Sequence, residues 1–459
     1  MKQNFDVAII GGGPAAIFAA YEFTEKYPEL SILILEEGLP VEKRHCPLAS
    51  GKSTQCLHCV PCAIMRGFGG AGAFSDGKYN FTTEFGGWLT DYLPKKTVME
   101  LIDYVDELNL RHGAPGAYFS TKNATIGKIA LGYDLHLLNA KVRHLGTENN
   151  LKIMASIYNY LAKKVEIRCQ TKVKTFTKEG DQFVLETSSG QVRSTYLIAA
   201  PGRAGAEWFT DECKRLGLQF TNNQVDVGVR IDVPAQVVRH ITDEVYEAKL
   251  LYRTKKYNDL VRTFCMNPYG YVVAENTDGI VTVNGQSYAD PKLHSENTNF
   301  ALLVSNTFTS PFTEPHQYGK RIASFSNMLG GGVLLQRFGD LIHGRRTNVR
   351  RLLKSFTRPT LPATPGDLSL VLPKRQLDDI IEMIYALDKV APGMANDDTL
   401  LYGVEVKFYS SRLKLDKHLE TKIPNLFAVG DGAGITRGLS QASASGVFVA
   451  REIGERAKL

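Results

Sequence analysis

The apolar run "VAII" at residues 7–10 breaks into "GGG" and then into "PAAIFAAYEFTEKY", where apolar residues recur at helical spacing. Four apolar residues without polar alternation predict a strand covered on both faces, as in a parallel sheet. A second run, "SILILEE", follows the helix, so the N-terminus reads strand, glycine turn, helix, strand. Near the centre, "KKVEIRCQTKVKTF" and "DQFVLETSSGQVRSTYLIAAPG" alternate around turn residues and predict strands joined as a hairpin. The rhythm changes from about Asn222 to Ala395. There "VDVGVRIDV", "GYVVAE", "GIVTVNGQSY" and "FALLVSN" predict strands, and helical spacing follows from Gln317 to Phe356 and from Pro373 to Val390. That is a sheet with helices on one side. Residues 81–145 are helical around "KKTVMELIDYVDELNLRHG", and the tail "IPNLFAVGDGAGITRGLSQASASGVFVAREI" predicts a short strand, a GD turn and a helix.

The chain has 459 residues, too many for one small core. Hydrophobic residues at 43% and charged residues at 22% are those of a globular protein and exclude a disordered arm. No segment approaches the roughly 20 apolar residues that span a bilayer. Met1 is followed almost at once by the first strand, so no secretion signal is expected and the reducing cytoplasm is the expected location. In that compartment clustered cysteines more often bind metal or do redox chemistry than form structural disulfides. The net charge of +6 is mild. One basic concentration, "HGRRTNVRRLLKSFTR" at 343–358, has the spacing of a helix with one positive face. It could meet an anionic substrate, a nucleotide phosphate or RNA, or simply be solvated surface.

The N-terminal glycines carry the strongest chemistry. In "GGGPAA", Gly11 permits the tight turn, Gly13 lets backbone approach a pyrophosphate, and Pro14, Ala15 and Ala16 open the helix whose positive end favours phosphate. Glu36, at the end of the second strand, stands where a carboxylate accepts ribose hydroxyls. FAD and NAD share this fingerprint. The C-terminal run resembles the flavin motif of FAD-dependent oxidoreductases of the glutathione reductase type. That resemblance implies that Gly430 and Asp431 meet the ribityl chain, and that the helix starting at Gly438, Leu439 and Ser440 aims its amides at the flavin pyrimidine edge. It also implies that Val173 reads adenine through its backbone and that Ala200 and Gly202, in "AAPG" rather than ATGG, approach the nucleotide closely. Arg437 is a candidate for a substrate anion or the flavin, and Arg44 for the adenosine side.

A narrower resemblance lies in "GFGGAGAFSDGK", in the CP and CxxCxxC cysteines before it, and in "VRTFCMNPYGYVV" and "VNGQSY" later. Together they look like a family of largely uncharacterised FAD-dependent dehydrogenases. It implies that Gly70, Ala71, Gly72, Phe74, Ser75, Asp76 and Gly77 lie along the flavin and its phosphates. The chain departs from that family's pattern in having "GVEVKFYSSRLKL" where a Thr-Arg-Thr-Ser run is typical, and Asp431 where Glu is common. The expected fold is α/β: a discontinuous Rossmann-like FAD-binding domain (1–80, 146–221 and 396–459), a helical excursion at 81–145, and an inserted α+β substrate domain at 222–395.

Between Glu36 and the glycine loop lies a cysteine loop, 46–62. Cys56, Cys59 and Cys62 have the spacing that lets three thiolates converge on one iron–sulfur cluster, with Cys46 as a fourth ligand. Four thiolates also suit zinc, and thiol–disulfide chemistry or inert thiols are further readings. His58 reads as a solvated side chain rather than a ligand. No second strand–GxGxxG–helix unit occurs, so NAD(P)H is expected only as a transient reductant, or electrons pass to another carrier. Glu405 and Lys407, in "GVEVKF", are the expected polar pair beside the ring, whereas Cys265 reads as core packing. The expectation is an FAD-dependent oxidoreductase exchanging hydride with a small molecule, with an electron-transfer partner if a cluster is present. The alternatives are a flavin-dependent RNA-modifying enzyme, against which stands the lack of interleaved aromatic and basic residues, and a non-catalytic electron-transfer protein.

Overall fold

The first apolar run forms the strand Asn4–Ile10 in the middle of a sheet. The computed structural model describes the whole chain except residues 1, 49, 54–56, 58, 123, 222, 223, 278, 310, 313, 314, 408–411 and 459, and the side chain of His316. It divides into two units: 1–117, 142–223 and 409–459 form the first, and 118–141 with 224–408 form the second.

In the first unit, Asn4–Ile10 pairs in parallel with Ile32–Leu35 on one side and Gly190–Ala199 on the other, and Glu166–Arg168 extends the sheet beyond Ile32–Leu35. The long strand Gly190–Ala199 forks. Its first half pairs antiparallel with Gln182–Thr187, which carries Val173–Glu179, and its last residues pair in parallel with Leu426–Ala428. Ile10 therefore stands level with Leu35 and Ala199, and Ala199 with Ala428. The turns that follow these strands leave the sheet along one edge, where open parallel sheets bind ligands. The helices Pro14–Lys26 and Leu439–Ala457 pack closely: a side chain at Gly446 would strike the carbonyl oxygen of Ala15.

The second unit is built on a sheet with, among the described residues, eight strands. Their order is Thr364–Pro365, Leu334–Arg337, Leu400–Lys407, Val225–Pro234, Asn297–Asn306, Leu260–Asn267, Leu250–Arg253 and Leu135–Leu137. The strand Val225–Pro234 is two-faced. Its valines, with Ile231, join Leu302, Val304, Leu401 and Val404 in a core that includes residues of the helices Ala235–Val245 and Lys374–Val390. Each fully buried aliphatic side chain there contributes about 1.5–3 kcal/mol. The alternate positions carry Asp226, Arg230 and Asp232, all buried as well. The hairpin of Tyr271–Thr277 and Ile280–Gln286 approaches this charged face at Gly285, where any side chain would run into Arg230, Asn267 and Asn299.

Three expectations differ from this architecture. The chain returns to the first unit at 409, not 396, because Leu400–Lys407 pairs along Val225–Pro234 and is sewn into the second sheet. Residues 118–141 of the helical excursion belong to the second unit, where Leu135–Leu137 pairs with Leu250–Tyr252. The helices expected from Gln317 to Phe356 are interrupted by a strand: Pro315–Gly330 is followed by Leu334–Arg337, then by the short helices Phe338–Ile342 and, in the basic segment, Val349–Lys354. Among the described residues no helix is long and apolar enough to cross a membrane. The α/β class, with a discontinuous Rossmann-like part and an inserted α+β part, is as expected.

Candidate functional site

The glycine turn after the first strand is locked in place. Gly11 has φ +99°, and a side chain there would collide with the carbonyl of Ala200, so the turn tolerates only glycine. Gly12 donates its amide to Glu36 Oε2 at 2.6 Å. Gly13 is the N-cap of Pro14–Lys26, which has no side-chain cap and no acid in its first turn. Pro14 occupies the first helical position, where its missing N–H costs nothing. The nearest atom to a Cβ built on Gly13 is Gly70 Cα at 4.0 Å. An uncapped positive helix end beside bare glycine backbone is what a pyrophosphate requires.

The other candidate segments fold onto this turn. Gly69 donates its amide to the carbonyl of Gly12 at 2.8 Å, and Gly70, at φ +58°, would touch Gly13 Cα if it carried a Cβ. Ala71–Phe74 is a single 3₁₀ turn. It is held by Asn150, whose side-chain amide donates to the carbonyls of Gly72 and Ser75 at 2.7 and 3.1 Å. A Cβ on Gly72 would meet Leu439 at 2.7 Å, and one on Gly430 would meet Ala15 at 3.2 Å. Asp431 accepts from the Thr436 hydroxyl at 2.7 Å and from the Gly438 amide at 3.2 Å, so it pins the turn ahead of Leu439–Ala457. Ser440 Oγ accepts from the amide of Asn80, just beyond Gly77. Arg437 stacks its guanidinium over Trp88 at 4.0 Å, and Asp76 pairs with Lys78 at 3.1 Å. Ala200 and Gly202 bracket Pro201, which with Gly202 approaches Gly432. Val173 begins the strand two residues after Thr171, whose amide donates to the carbonyl of Glu36. Residues 11–16, 36, 70–77, 200–202 and 430–440 are thus one neighbourhood.

Two expected roles look different in place. The Glu36 carboxylate accepts three backbone amides, from Gly12, Gly38 and Gly67 at 2.6–2.8 Å, so it organises both glycine loops. Arg44 is buried and donates to the carbonyls of Ala63, Ile64 and Phe68 at 2.7–2.9 Å, with its guanidinium 4.7 Å from the Phe74 ring. Burial pushes its pKa down to about 10, which leaves it a cation at neutral pH. It ties the end of the cysteine loop to the start of the glycine loop. Within that loop Cys46 and Cys62 are half-buried and Cys59 is exposed, all as free thiols. Cys56 and His58 lie outside the described residues. Among the described residues no three His, Cys, Asp or Glu side chains form a group able to hold a metal ion.

The second unit holds a set of charges that the sequence pattern only half revealed. Glu405 has no exposure and pairs with Arg230 Nε at 2.9 Å and with Lys407 Nζ at 2.7 Å. Arg230, equally buried, also donates to the carbonyl of Cys265 at 3.1 Å and to Asn299 Oδ1 at 3.3 Å, and Asn267 donates to the same Asn299 oxygen. The Cys265 carbonyl turns toward Arg230 because Cys265 sits at φ +44° in an irregularity of its strand, so it is a backbone ligand rather than simple core packing. The Phe264 ring lies 4.2 Å from Lys249 Nζ and 5.9 Å from Lys407 Nζ. Asp232 accepts from the Thr360 hydroxyl at 2.8 Å, and burial pushes its carboxyl up to about 7. The two motifs "VRTFCMNP" and "VNGQSY" therefore converge on Arg230, through Cys265, Asn267 and Gly285. Arg230 and Asp232 were missed because the polar positions of an alternating strand ordinarily face solvent, and here they are buried. The available signal was the alternation itself, since a strand with valines on one face and Asp, Arg, Asp on the other must bury those charges if it is central.

Residues 224–408 match the family described as "FAD-dependent protein, C-terminal domain-like". That segment carries Arg230, Asp232, Glu405 and Lys407. Over 98% of its length the chain is also similar to an uncharacterized protein of Clostridium beijerinckii (strain ATCC 51743 / NCIMB 8052), 27% identical over 467 residues and 80% of that protein. Among solved structures, the glycine oxidase of Geobacillus kaustophilus aligns with 99% of this chain and 95% of its own, at 12% identity and a TM-score of 0.43. The L-proline dehydrogenase of P. horikoshii aligns with 99% and 95%, at 10% identity and a TM-score of 0.43.

Proposed function

We propose that this protein is an FAD-dependent oxidoreductase, a dehydrogenase or reductase acting on a small molecule. The observation that carries the reading is the uncapped end of Pro14–Lys26, where Gly13 faces Gly70 with no side chain between them. The description of the family matched by 224–408 supports it. Residues 11–16 and 70–77 would hold the phosphates, Val173, Ala200 and Gly202 the adenosine side, and Asp431 with Gly438–Ser440 the ribityl chain and ring. Bound FAD supplies hydride exchange at its N5 atom. The protein's share is to orient substrate, exclude water and hold a proton. Lys407 is suited to the first task, because Glu405, itself held by Arg230, fixes its ammonium while it keeps a little exposure of its own. NAD(P)H enters the proposal as a transient reductant. An iron–sulfur cluster, with zinc as its alternative, would be held by Cys46 and the CxxCxxC thiolates of Cys56, Cys59 and Cys62; iron, sulfide and zinc analysis of anaerobic protein decides it.

Chromatography of the heat-released supernatant tests the central reading. FAD is expected, and FMN or no flavin overturns it. Gly13→Val sharpens the test. A side chain at Gly13 has room in the fold but would occupy the pyrophosphate's approach, so the variant should melt normally as the apoprotein and yet lose flavin. Full FAD occupancy in a folded Gly13→Val protein would reject the placement.

A further inference from the structure

The segment from His343 to Arg358 contains five arginines and one lysine and no acid, a charge equal to the net +6 of the whole chain. The remainder of the protein is therefore electrically balanced, and its excess charge sits in one place. Large apolar side chains also face solvent within this segment, as they do at several other places on the surface. Phe356 is 92% exposed, Leu353 68% and Val349 62%, and Ile342 is exposed just ahead of them. Isolated exposed apolar residues need no explanation, but several of them set among cations do.

The exposure is built in. Phe356 donates its amide to Asp398 Oδ2 at 3.0 Å and lies between the buried Ser355 and Thr357, so its backbone is fastened while its ring points outward. Asn348 caps Val349–Lys354 by accepting from the Arg351 amide at 2.9 Å, and buried Thr347 donates its hydroxyl to Asp340 at 2.9 Å. The cations divide by task. Arg345 and Arg351 reach back to Asp340, and Arg358 donates to the carbonyl of Leu353. Arg346, Arg350 and Lys354 are exposed, and their side chains have no hydrogen-bond or ion-pair partner among the described residues.

We propose that the surface of 342–358 docks on an anionic phospholipid bilayer, with Val349, Leu353 and Phe356 entering the acyl boundary and Arg346, Arg350 and Lys354 at the level of the headgroup phosphates. Apolar side chains among unpaired cations are the composition of an interfacial anchor. RNA gives no return for exposing Val349 and Leu353, which cannot stack on bases as an aromatic ring does. A second copy of the chain would bring the same six cations onto the patch by symmetry, which repels. Insertion of three side chains at the acyl boundary makes a peripheral, reversible attachment.

The test is co-sedimentation of the purified full chain with vesicles of phosphatidylglycerol and phosphatidylcholine in equal parts, against phosphatidylcholine alone. Binding to the mixed vesicles is expected, with little to the neutral ones and a fall as salt rises. Paired Leu353→Ser and Phe356→Ser changes should lower partitioning about tenfold or more. Paired Arg350→Gln and Lys354→Gln should lower it about fivefold per charge and flatten the salt dependence. All four side chains are exposed, so the melting temperature should hold. Failure to bind mixed vesicles, equal binding to neutral ones, or binding that neither pair of changes weakens would overturn the proposal. So would a dimer, or retention of RNA or an acidic protein, that depends on these residues in place of vesicle binding. The assay does not depend on flavin content, so its outcome is separate from that of the FAD reading.

Discussion

Glu405 is held between two cations with none of its surface exposed, which makes it the residue whose change has the plainest consequence. Glu405→Gln would leave Arg230 and Lys407 facing a neutral amide in a dry environment. Removing one partner of a buried pair strands the other charge, so a loss of about 3–5 kcal/mol is expected in denaturant unfolding. A loss below about 1 kcal/mol would mean that water reaches the network. Asp232 makes a prediction in pH. Its carboxyl is raised by burial from 3.8 to about 7. At pH values below both, the folded and unfolded chains each hold the proton. Between them only the folded chain holds it, so stability falls as pH rises from about 4 to about 7 and then levels. The full span is on the order of 4 kcal/mol. Asp232→Asn should flatten that slope in melts compared at pH 5 and pH 8, and an unaltered slope would assign the dependence to other groups.

At the scale of elements, legibility followed locality. The strand Asn4–Ile10, its glycine turn and its helix were readable because each signal lies within a few residues of the next, and the same holds for the hairpin of 173–187 and the start of Leu439–Ala457. Partnership at a distance was not readable. Nothing within "GVEVKF" says that its partner is Val225–Pro234, so its assignment to the C-terminal segment came from adjacency in the chain. The basic segment kept a helical charge spacing, but Asn348, capping through the Arg351 amide, starts the helix only there, and it ends at the extended, buried Ser355. The glycine-loop residues were legible as a set, but the backbone roles of Glu36 and Arg44 depend on where Gly67 and Phe68 come to lie. Asp431 combines the two cases, being visible as part of a GD turn and yet acting on Thr436 and Gly438. Asp431→Ala should speed hydrogen exchange at the Gly438 amide. Under the flavoprotein proposal it should also raise the FAD Kd about tenfold or more, the equivalent of one hydrogen bond to a charged group. An unchanged Kd with faster exchange would leave Asp431 a role in the turn only.

The whole molecule is interleaved, since each unit is assembled from separate stretches of one chain. The stretch matched by the family, 224–408, omits 118–141, which supplies Leu135–Leu137 and the helix Thr125–Leu131 to the second unit. A fragment of 224–408 alone should therefore aggregate on size-exclusion chromatography, because the strand Leu250–Arg253 becomes an open edge. Joining 118–141 to it through a flexible linker should restore a monomer, and a well-behaved monomer without that piece would show the edge to be dispensable. The fork in the strand Gly190–Ala199 has a consequence in time. Leu197–Ala199 waits for Leu426–Ala428, and the face of Pro14–Lys26 around Ala15 waits for Gly446. At about 5–20 residues per second, a ribosome leaves that half-strand and helix uncovered for tens of seconds, while 224–408 of the second unit is being made. The first domain to begin is the last to close, so the nascent chain must pass through a long interval in which an apolar sheet with an open edge is a template for its neighbours on the same message.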